Sequence, residues 1–86
     1  MKYTVLLTRQ AKKNFRNITQ RDQKRIKQAL QEMAHEPFTG DVTKLTGYEA
    51  YRRRVGAYRI IFSVTEETIL VIVFDILRRN EMTYRQ

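Results

Sequence analysis

The stretch Tyr51–Val64, YRRRVGAYRIIFSV, contains two β-prone runs that are separated by the pair Gly56–Ala57. A type II′ turn requires a positive φ at its first central position, and glycine adopts that conformation without steric cost. The pattern therefore predicts a β-hairpin with a two-residue turn. If Gly56–Ala57 forms the turn, Val55 lies opposite Tyr58, and this pair sets the register of both strands.

The predicted register brings three arginines to one face of the hairpin. Side chains alternate between the two faces of a strand, so Arg52, Arg54 and Arg59 point the same way. The other face carries Tyr51, Arg53, Val55, Tyr58, Ile60 and Phe62. Three guanidinium groups on one face repel each other, and folding alone gives no reason for the arrangement. We therefore expect this face to bind an anion.

Composition narrows the functional class of the chain. The 86 residues predict a single domain, residues 1–86, and 17 Lys and Arg against 9 Asp and Glu give a net charge of +8. This charge favours a polyanionic partner, with a surface charged only for solubility as the alternative. There is no Cys and one His, so we expect neither a thiolate metal site nor a zinc site. Without a membrane-length apolar run or a signal peptide, we expect a cytoplasmic protein.

The first half of the chain predicts a short strand and two helices. Residues 3–7, YTVLL, form the strand, and Thr8 is the N-cap of a helix that reaches about Asn17. Thr19 opens a second helix, which Pro37 ends. The apolar face of that helix consists of Ile26, Ala29, Leu30, Met33 and Ala34. The exposed side of each helix is basic.

The second half predicts a loop and three strands. Residues 38–47 are rich in turn formers and form the loop, while residues 69–77, ILVIVFDIL, form a buried central strand. The connection after the second strand is predicted to have three to five residues, and a three-residue connection places Val64 opposite Thr68. Leu70, Ile72 and Phe74 then face the helices, whereas Ile61, Val71, Val73 and Asp75 lie on the arginine face. The element order β-α-α-β-β-β predicts an α+β fold, with an αα-hairpin packed on a small twisted antiparallel sheet.

The segments LTGYEAYRRRVGAYRIIFSV and VIVFDILRRNEMTY, in this order of elements, resemble the RelE/ParE superfamily of toxins from type II toxin–antitoxin modules. The similarity extends from Tyr3 to Tyr84. The resemblance implies the fold that is predicted above. It also implies one of two activities, because RelE-like members cleave mRNA in the ribosomal A site whereas ParE-like members poison DNA gyrase.

The resemblance to RelE-like nucleases also implies a catalytic site. The residues that match the motif are Arg52, Arg54, Arg59, Arg79 and Tyr84. The sequence departs from the best-known nuclease in having two Arg where that enzyme has two Lys. Arg78 is an alternative match for Arg79, since the spacing to Tyr84 differs by about one residue from common variants. The RelE-like nucleases resembled here use neither metal nor cofactor.

Guanidinium chemistry suits part of this reaction. Arg59 and Arg79 can stabilise charge on a phosphate, and Tyr84 can stack on a base. Arginine has a pKa above about 12 and is a poor general base at neutral pH. The candidates for that role are Glu49, Asp75, Glu81, Tyr84 or a group on the ribosome.

Further basic residues are predicted to contact RNA, namely Lys12, Lys13, Arg16, Arg53 and Arg78. The basic helix faces are either solvated or in contact with rRNA. Arg53 lies on the helix side of the hairpin, where its stem covers the sheet edge and its head reaches water. Arg59 has an alternative structural role as a partner of Asp75.

Three functions are therefore open. The first is a ribosome-dependent endonuclease that cleaves mRNA, which an acidic antitoxin neutralises. The second is a gyrase poison on the same fold, and the third is a non-catalytic module that binds an antitoxin or nucleic acid. An apolar patch formed by Ile61, Val71 and Val73 on the arginine face is the predicted antitoxin contact.

Overall fold

Two helices and five strands make up residues 2–78, the part of the chain that the computed structural model describes. They are β1 (Thr4–Leu7), α1 (Arg9–Arg16), α2 (Gln20–His35), β2 (Asp41–Lys44), β3 (Tyr51–Val55), β4 (Tyr58–Thr65) and β5 (Leu70–Arg78). The helices form the predicted αα-hairpin on one side of the sheet, and the α+β class is confirmed.

The boundaries of both helices follow the capping signals in the sequence. The Thr8 hydroxyl accepts a hydrogen bond from the Ala11 N–H at the start of α1, and Thr19 does the same for the Asp22 N–H at the start of α2. Each bond satisfies a backbone N–H that has no partner within the helix. α2 ends at His35, two residues before Pro37, as predicted.

The sheet has the strand order β1-β5-β4-β3-β2, and it differs from the prediction in two ways. It is mixed, because β1 pairs with β5 in parallel. It also contains β2, which lies inside the predicted loop of residues 38–47. β2 is a short, polar edge strand with the sequence DVTK, so the alternating hydrophobic signal of a strand is missing.

The hairpin of β3 and β4 has the predicted register. Val55 pairs with Tyr58, and Arg54 pairs with Arg59. Gly56 has a φ of 57°, which is the positive angle that the first turn position requires. A Cβ at Gly56 would also lie 3.0 Å from the guanidinium carbon of Arg25, so the turn is closely covered by α2.

The length of the connection between β4 and β5 falls within the predicted range, but the pairing predicted from a three-residue connection is wrong. Val64 pairs with Val71 instead of Thr68, because the connection after Thr65 has four residues and places Leu70 opposite Thr65. Ile69 has a φ of 52° in this connection. A register shift of an odd number of residues exchanges the two faces of a strand.

The exchange buries side chains that were predicted on the arginine face. Val71 and Val73 are fully buried under the helices, and the predicted apolar patch with Ile61 therefore does not exist. Leu70 and Ile72 lie on the opposite face from Val71 and Val73 and not against the helices.

A β-bulge at Phe74 then reverses the alternation once more. Phe62 pairs with Val73 but Ile61 pairs with Asp75, so Phe74 is the additional residue in β5. The bulge returns Asp75 to the face where it was predicted. Thr8 secures this point, since its N–H donates to the Val73 carbonyl and its hydroxyl donates to the Phe74 carbonyl.

The core lies between the helices and the face of the sheet that carries Tyr58, Ile60 and Phe62. The fully or nearly fully buried apolar residues are Ala11, Ile26, Ala29, Met33, Tyr58, Ile60, Phe62, Val71, Val73 and Ile76. Burial of such side chains is the main contribution to folding. The two described helices do not cover the arginine face on the other side of the sheet.

Candidate functional site

The three hairpin arginines share the open face of the sheet, the face that α1 and α2 do not cover, as predicted. Two rows of side chains cross this face perpendicular to the strands. The first row contains Asp41, Arg54, Arg59 and Leu77, and the second contains Thr43, Arg52, Ile61 and Asp75. Neighbouring strands are about 4.8 Å apart, and residues diagonal to each other lie within reach of long side chains. The guanidinium groups of Arg52 and Arg59 can therefore converge on one anion.

Arg54 has an acidic neighbour that sequence reasoning missed. Its Nε lies 3.9 Å from Oδ2 of Asp41 in β2, and both side chains are substantially exposed. An exposed pair of this length contributes at most about 1 kcal/mol. The pairing of Asp41 with Arg54 was not predicted because β2 was not identified as a strand.

A groove with a volume of about 640 Å³ lies beside the arginines. Its lining combines charged side chains with apolar ones: Leu45, Tyr48, Glu49, Ala50, Arg52, Arg59, Ile61, Phe74, Asp75 and Leu77. Tyr48 and Phe74 are 70% and 41% exposed. The groove thus offers two cations and two exposed aromatic rings in one depression, within the size range of small-molecule sites.

Asp75 is held in place from α1. Its Oδ1 accepts one hydrogen bond from the Asn14 side-chain amide at 2.5 Å and another from the Ile76 N–H at 2.9 Å. Both bonds end on Oδ1 and therefore anchor this oxygen of the carboxylate.

Arg53 lies on the other side of the sheet and is 8% exposed. Its Nη2 donates to Glu32 at 2.5 Å, and its Nη1 donates to the Ala29 carbonyl at 3.3 Å. The prediction that its head reaches water is wrong, because α2 and Gly40 enclose the guanidinium. This burial argues against the predicted RNA contact and gives Arg53 a structural role.

Arg78 also lies away from the arginine face. Its guanidinium carbon is 5.8 Å from the ring centre of Tyr58, the residue it opposes across the sheet. The Tyr58 hydroxyl donates to Asp22 at 3.2 Å. Burial and this hydrogen bond to Asp22 raise the pKa of Tyr58 above 10.0. Arg78 is therefore exposed on the side of the sheet that carries Tyr58 and does not lie beside the three hairpin arginines.

The remaining predicted residues are not brought to the groove by the described structure. Lys12, Lys13 and Arg16 are exposed on α1, and none of them lines the groove. Arg79, Glu81 and Tyr84 lie outside the described residues.

Two negative findings apply to residues 2–78 only. No group of three or more His, Cys, Asp or Glu side chains in this range could hold a metal ion. No helix in this range has the length and apolar character that a membrane crossing needs.

Comparisons with known proteins agree with this architecture. Residues 5–83 match the model of the ParE toxin of the type II toxin–antitoxin system parDE. The archaeal RelE–RelB complex from Pyrococcus horikoshii contains a similar chain, with 26% identity and a TM-score of 0.82 over 94% of this chain and 99% of that one. No curated protein sequence matches.

Two further solved structures are similar. The RelB–RelE antitoxin–toxin complex from Methanococcus jannaschii matches with 28% identity and a TM-score of 0.74, over 91% of this chain and 94% of that one. The intact E. coli RelBE complex matches with 22% identity and a TM-score of 0.77, over 92% of this chain and 99% of that one. At the latter identity the likeness concerns the fold alone.

Proposed function

This chain belongs to the ParE toxin family of type II toxin–antitoxin systems, and we propose that it is a toxin that cleaves mRNA on the ribosome. An acidic antitoxin neutralises it, and both act in the cytoplasm. The observation that carries this proposal is the convergence of Arg52, Arg54 and Arg59 on one open sheet face beside a groove.

Cleavage proceeds through the RNA's own 2′-hydroxyl. The 2′-oxygen loses its proton to a general base and forms a bond to phosphorus, while the bond from phosphorus to the 5′-oxygen breaks. The 5′-oxygen takes up a proton, and a 2′,3′-cyclic phosphate remains. The site must hold the oxygens in line and stabilise the charge that develops on the phosphate.

The arginines perform the electrostatic part of this reaction. Guanidinium groups stay charged at neutral pH and donate paired hydrogen bonds to phosphate oxygens. Arg52 and Arg59 line the groove, and Arg54 lies directly opposite Arg59. Arg79 and Tyr84 complete the proposed site. Preorganised charge of this kind commonly lowers the barrier more than any other catalytic effect.

The general base is a carboxylate in this proposal, because arginine cannot take the proton. Glu49 and Asp75 are the carboxylates that line the groove. Asp75 is committed to Asn14 through one oxygen, whereas Glu49 is exposed on the loop between β2 and β3. We therefore assign the base to Glu49.

A gyrase poison is the second candidate, and the match to the ParE model favours it. Such a protein acts by binding gyrase and does not need the arginines as a catalytic unit. The two functions predict different effects of removing the Arg59 side chain. A nuclease should lose mRNA cleavage, whereas a gyrase poison should still induce DNA breaks.

The test expresses wild type and Arg59→Ala and maps mRNA 5′ ends while DNA cleavage by gyrase is assayed in the same cells. We expect new mRNA ends from wild type and a loss of roughly 10²–10³-fold in cleavage by Arg59→Ala. Arg21→Ala, which removes an exposed arginine from α2, is the matched control and should cleave normally. Induced DNA breaks that persist in a folded Arg59→Ala variant, with no mRNA ends from wild type, would establish the gyrase function instead.

A further inference from the structure

Half of the groove beside the arginines is apolar, and it takes no part in stabilising the charge on the phosphate. Leu45, Ile61 and Leu77 contribute aliphatic lining, while Tyr48 and Phe74 contribute exposed rings. Phe74 is exposed because the β-bulge takes it out of the regular alternation of β5. A bulge commonly serves to redirect a side chain next to a functional site.

The second row of side chains on the open face shows where this apolar half lies relative to the arginines. Arg52, Ile61 and Asp75 follow one another across β3, β4 and β5. At about 4.8 Å per strand, Asp75 lies roughly 10 Å from Arg52, with Ile61 between them. A phosphate at the arginines therefore leaves room for its own nucleotide to extend over Ile61 toward Asp75 and Phe74.

We infer that Tyr48, Phe74 and Asp75 form a nucleobase subsite. This subsite distinguishes uracil from the other three bases at one position of the codon. The rings of Tyr48 and Phe74 stack on the base, and Oδ2 of Asp75 accepts a hydrogen bond from an amino group on its edge. Adenine, cytosine and guanine carry such an amino group. Uracil presents carbonyl oxygens beside its one N–H, and these repel a carboxylate.

Single-stranded RNA fits the groove better than a peptide does. The groove combines an aromatic and apolar lining with two arginines, which corresponds to the base and the phosphate of one nucleotide. The chain carries a net charge of +8, which complements RNA. Asn14 fixes the Asp75 carboxylate, as a site that reads hydrogen-bond donors requires.

The inference rests on the proposed ribosome-dependent nuclease, and the experiment separates the two. Purified protein is added to ribosomes that hold mRNAs differing by one nucleotide in the A-site codon, and the rate at each position is measured. At one position we expect uridine to be cleaved about tenfold more slowly than the other three nucleotides. Absence of cleavage of every mRNA would instead refute the proposed function.

Three variants test whether these residues cause the discrimination against uridine. The Asp75→Asn variant should still cleave mRNA but should no longer discriminate against uridine. The asparagine amide can donate a hydrogen bond to a uracil carbonyl as well as accept one from an amino group. Phe74→Leu and Tyr48→Leu should raise KM at least about fivefold with kcat nearly unchanged, since stacking contributes to binding. Phe38→Leu is the matched control, because Phe38 is 38% exposed and its ring packs on Tyr51 outside the groove.

The inference is wrong if wild type cleaves but the three variants keep its codon preference and KM. It is also wrong if Phe74→Leu and Tyr48→Leu weaken antitoxin binding while cleavage stays normal, since the groove would then be a protein-docking surface. Urea unfolding of each variant identifies any that fails to fold. Tyr48 lies in a loop and is 70% exposed, so at least Tyr48→Leu tests the inference on an intact fold.

Discussion

Arg52 and Arg53 are neighbours in the chain but have opposite roles. Arg52 lines the groove on the open face, whereas Arg53 is enclosed between the sheet and α2 and pairs with Glu32. The alternation of a strand predicted this division from the sequence. The ion pair itself was not predictable, because it depends on how α2 crosses β3.

We expect the two alanine variants to separate stability from activity. Arg53→Ala should lower the free energy of unfolding by roughly 2 kcal/mol, less than the 3–5 kcal/mol of a fully buried pair, because Glu32 is half exposed. Arg52→Ala should change it by no more than about 0.5 kcal/mol while cleavage is lost. Urea denaturation and a ribosome cleavage assay measure the two effects. Equal destabilisation by both variants would contradict the assigned faces.

The raised pKa of Tyr58 predicts a loss of stability at alkaline pH. Burial and the hydrogen bond to Asp22 favour the neutral phenol in the folded state, so the pKa lies above 10.0. The resulting stabilisation is complete below the unfolded pKa of about 10 and is lost as the pH rises through the folded pKa. Tyr58→Phe should therefore be less stable than wild type at pH 8, and the difference should shrink near pH 11. Urea midpoints at both values measure it, and a constant difference would show that Tyr58 does not titrate in this way.

At the scale of elements, local signals were sufficient for the helices and the hairpin. Thr8, Thr19 and Gly56 act within a few residues of the sequence, so their effects could be predicted. The pairing of β4 with β5 could not, because a connection without Gly or Asn does not define its own length. The bulge at Phe74 could not be predicted either, and the Thr8 hydroxyl that donates to the Phe74 carbonyl is 66 residues away in the sequence.

Thr8 should accordingly contribute more to stability than Thr19. Both hydroxyls cap a helix, but that of Thr8 also donates to the Phe74 carbonyl. We expect Thr19→Val to cost about 1 kcal/mol and Thr8→Val about 1 kcal/mol more. Serine at either position should restore most of the loss, since it retains the hydroxyl. Chemical denaturation of the four variants tests the order, and equal losses for the two valine variants would mean that the Phe74 contact contributes nothing.

In the whole molecule, the helices cover one face of the sheet and leave the arginine face uncovered by helices. The helices cover the face that carries the core, and the arginines occupy the face that remains. Charge, periodicity and the hairpin were enough to predict this division and the identity of the three arginines. The groove was not predictable, because part of its lining comes from the loop between β2 and β3 and from the bulge in β5.

In the proposed reaction, the open face cleaves RNA through the substrate's own 2′-hydroxyl. The most direct test presents purified protein with ribosomes that hold either an all-ribose mRNA or the same mRNA with one 2′-deoxynucleotide at the scissile position. We expect cleavage of the first mRNA, with a 2′,3′-cyclic phosphate end, and no cleavage of the second at that bond. Equal cleavage of both mRNAs would refute the internal nucleophile, and cleavage of neither would refute the nuclease itself.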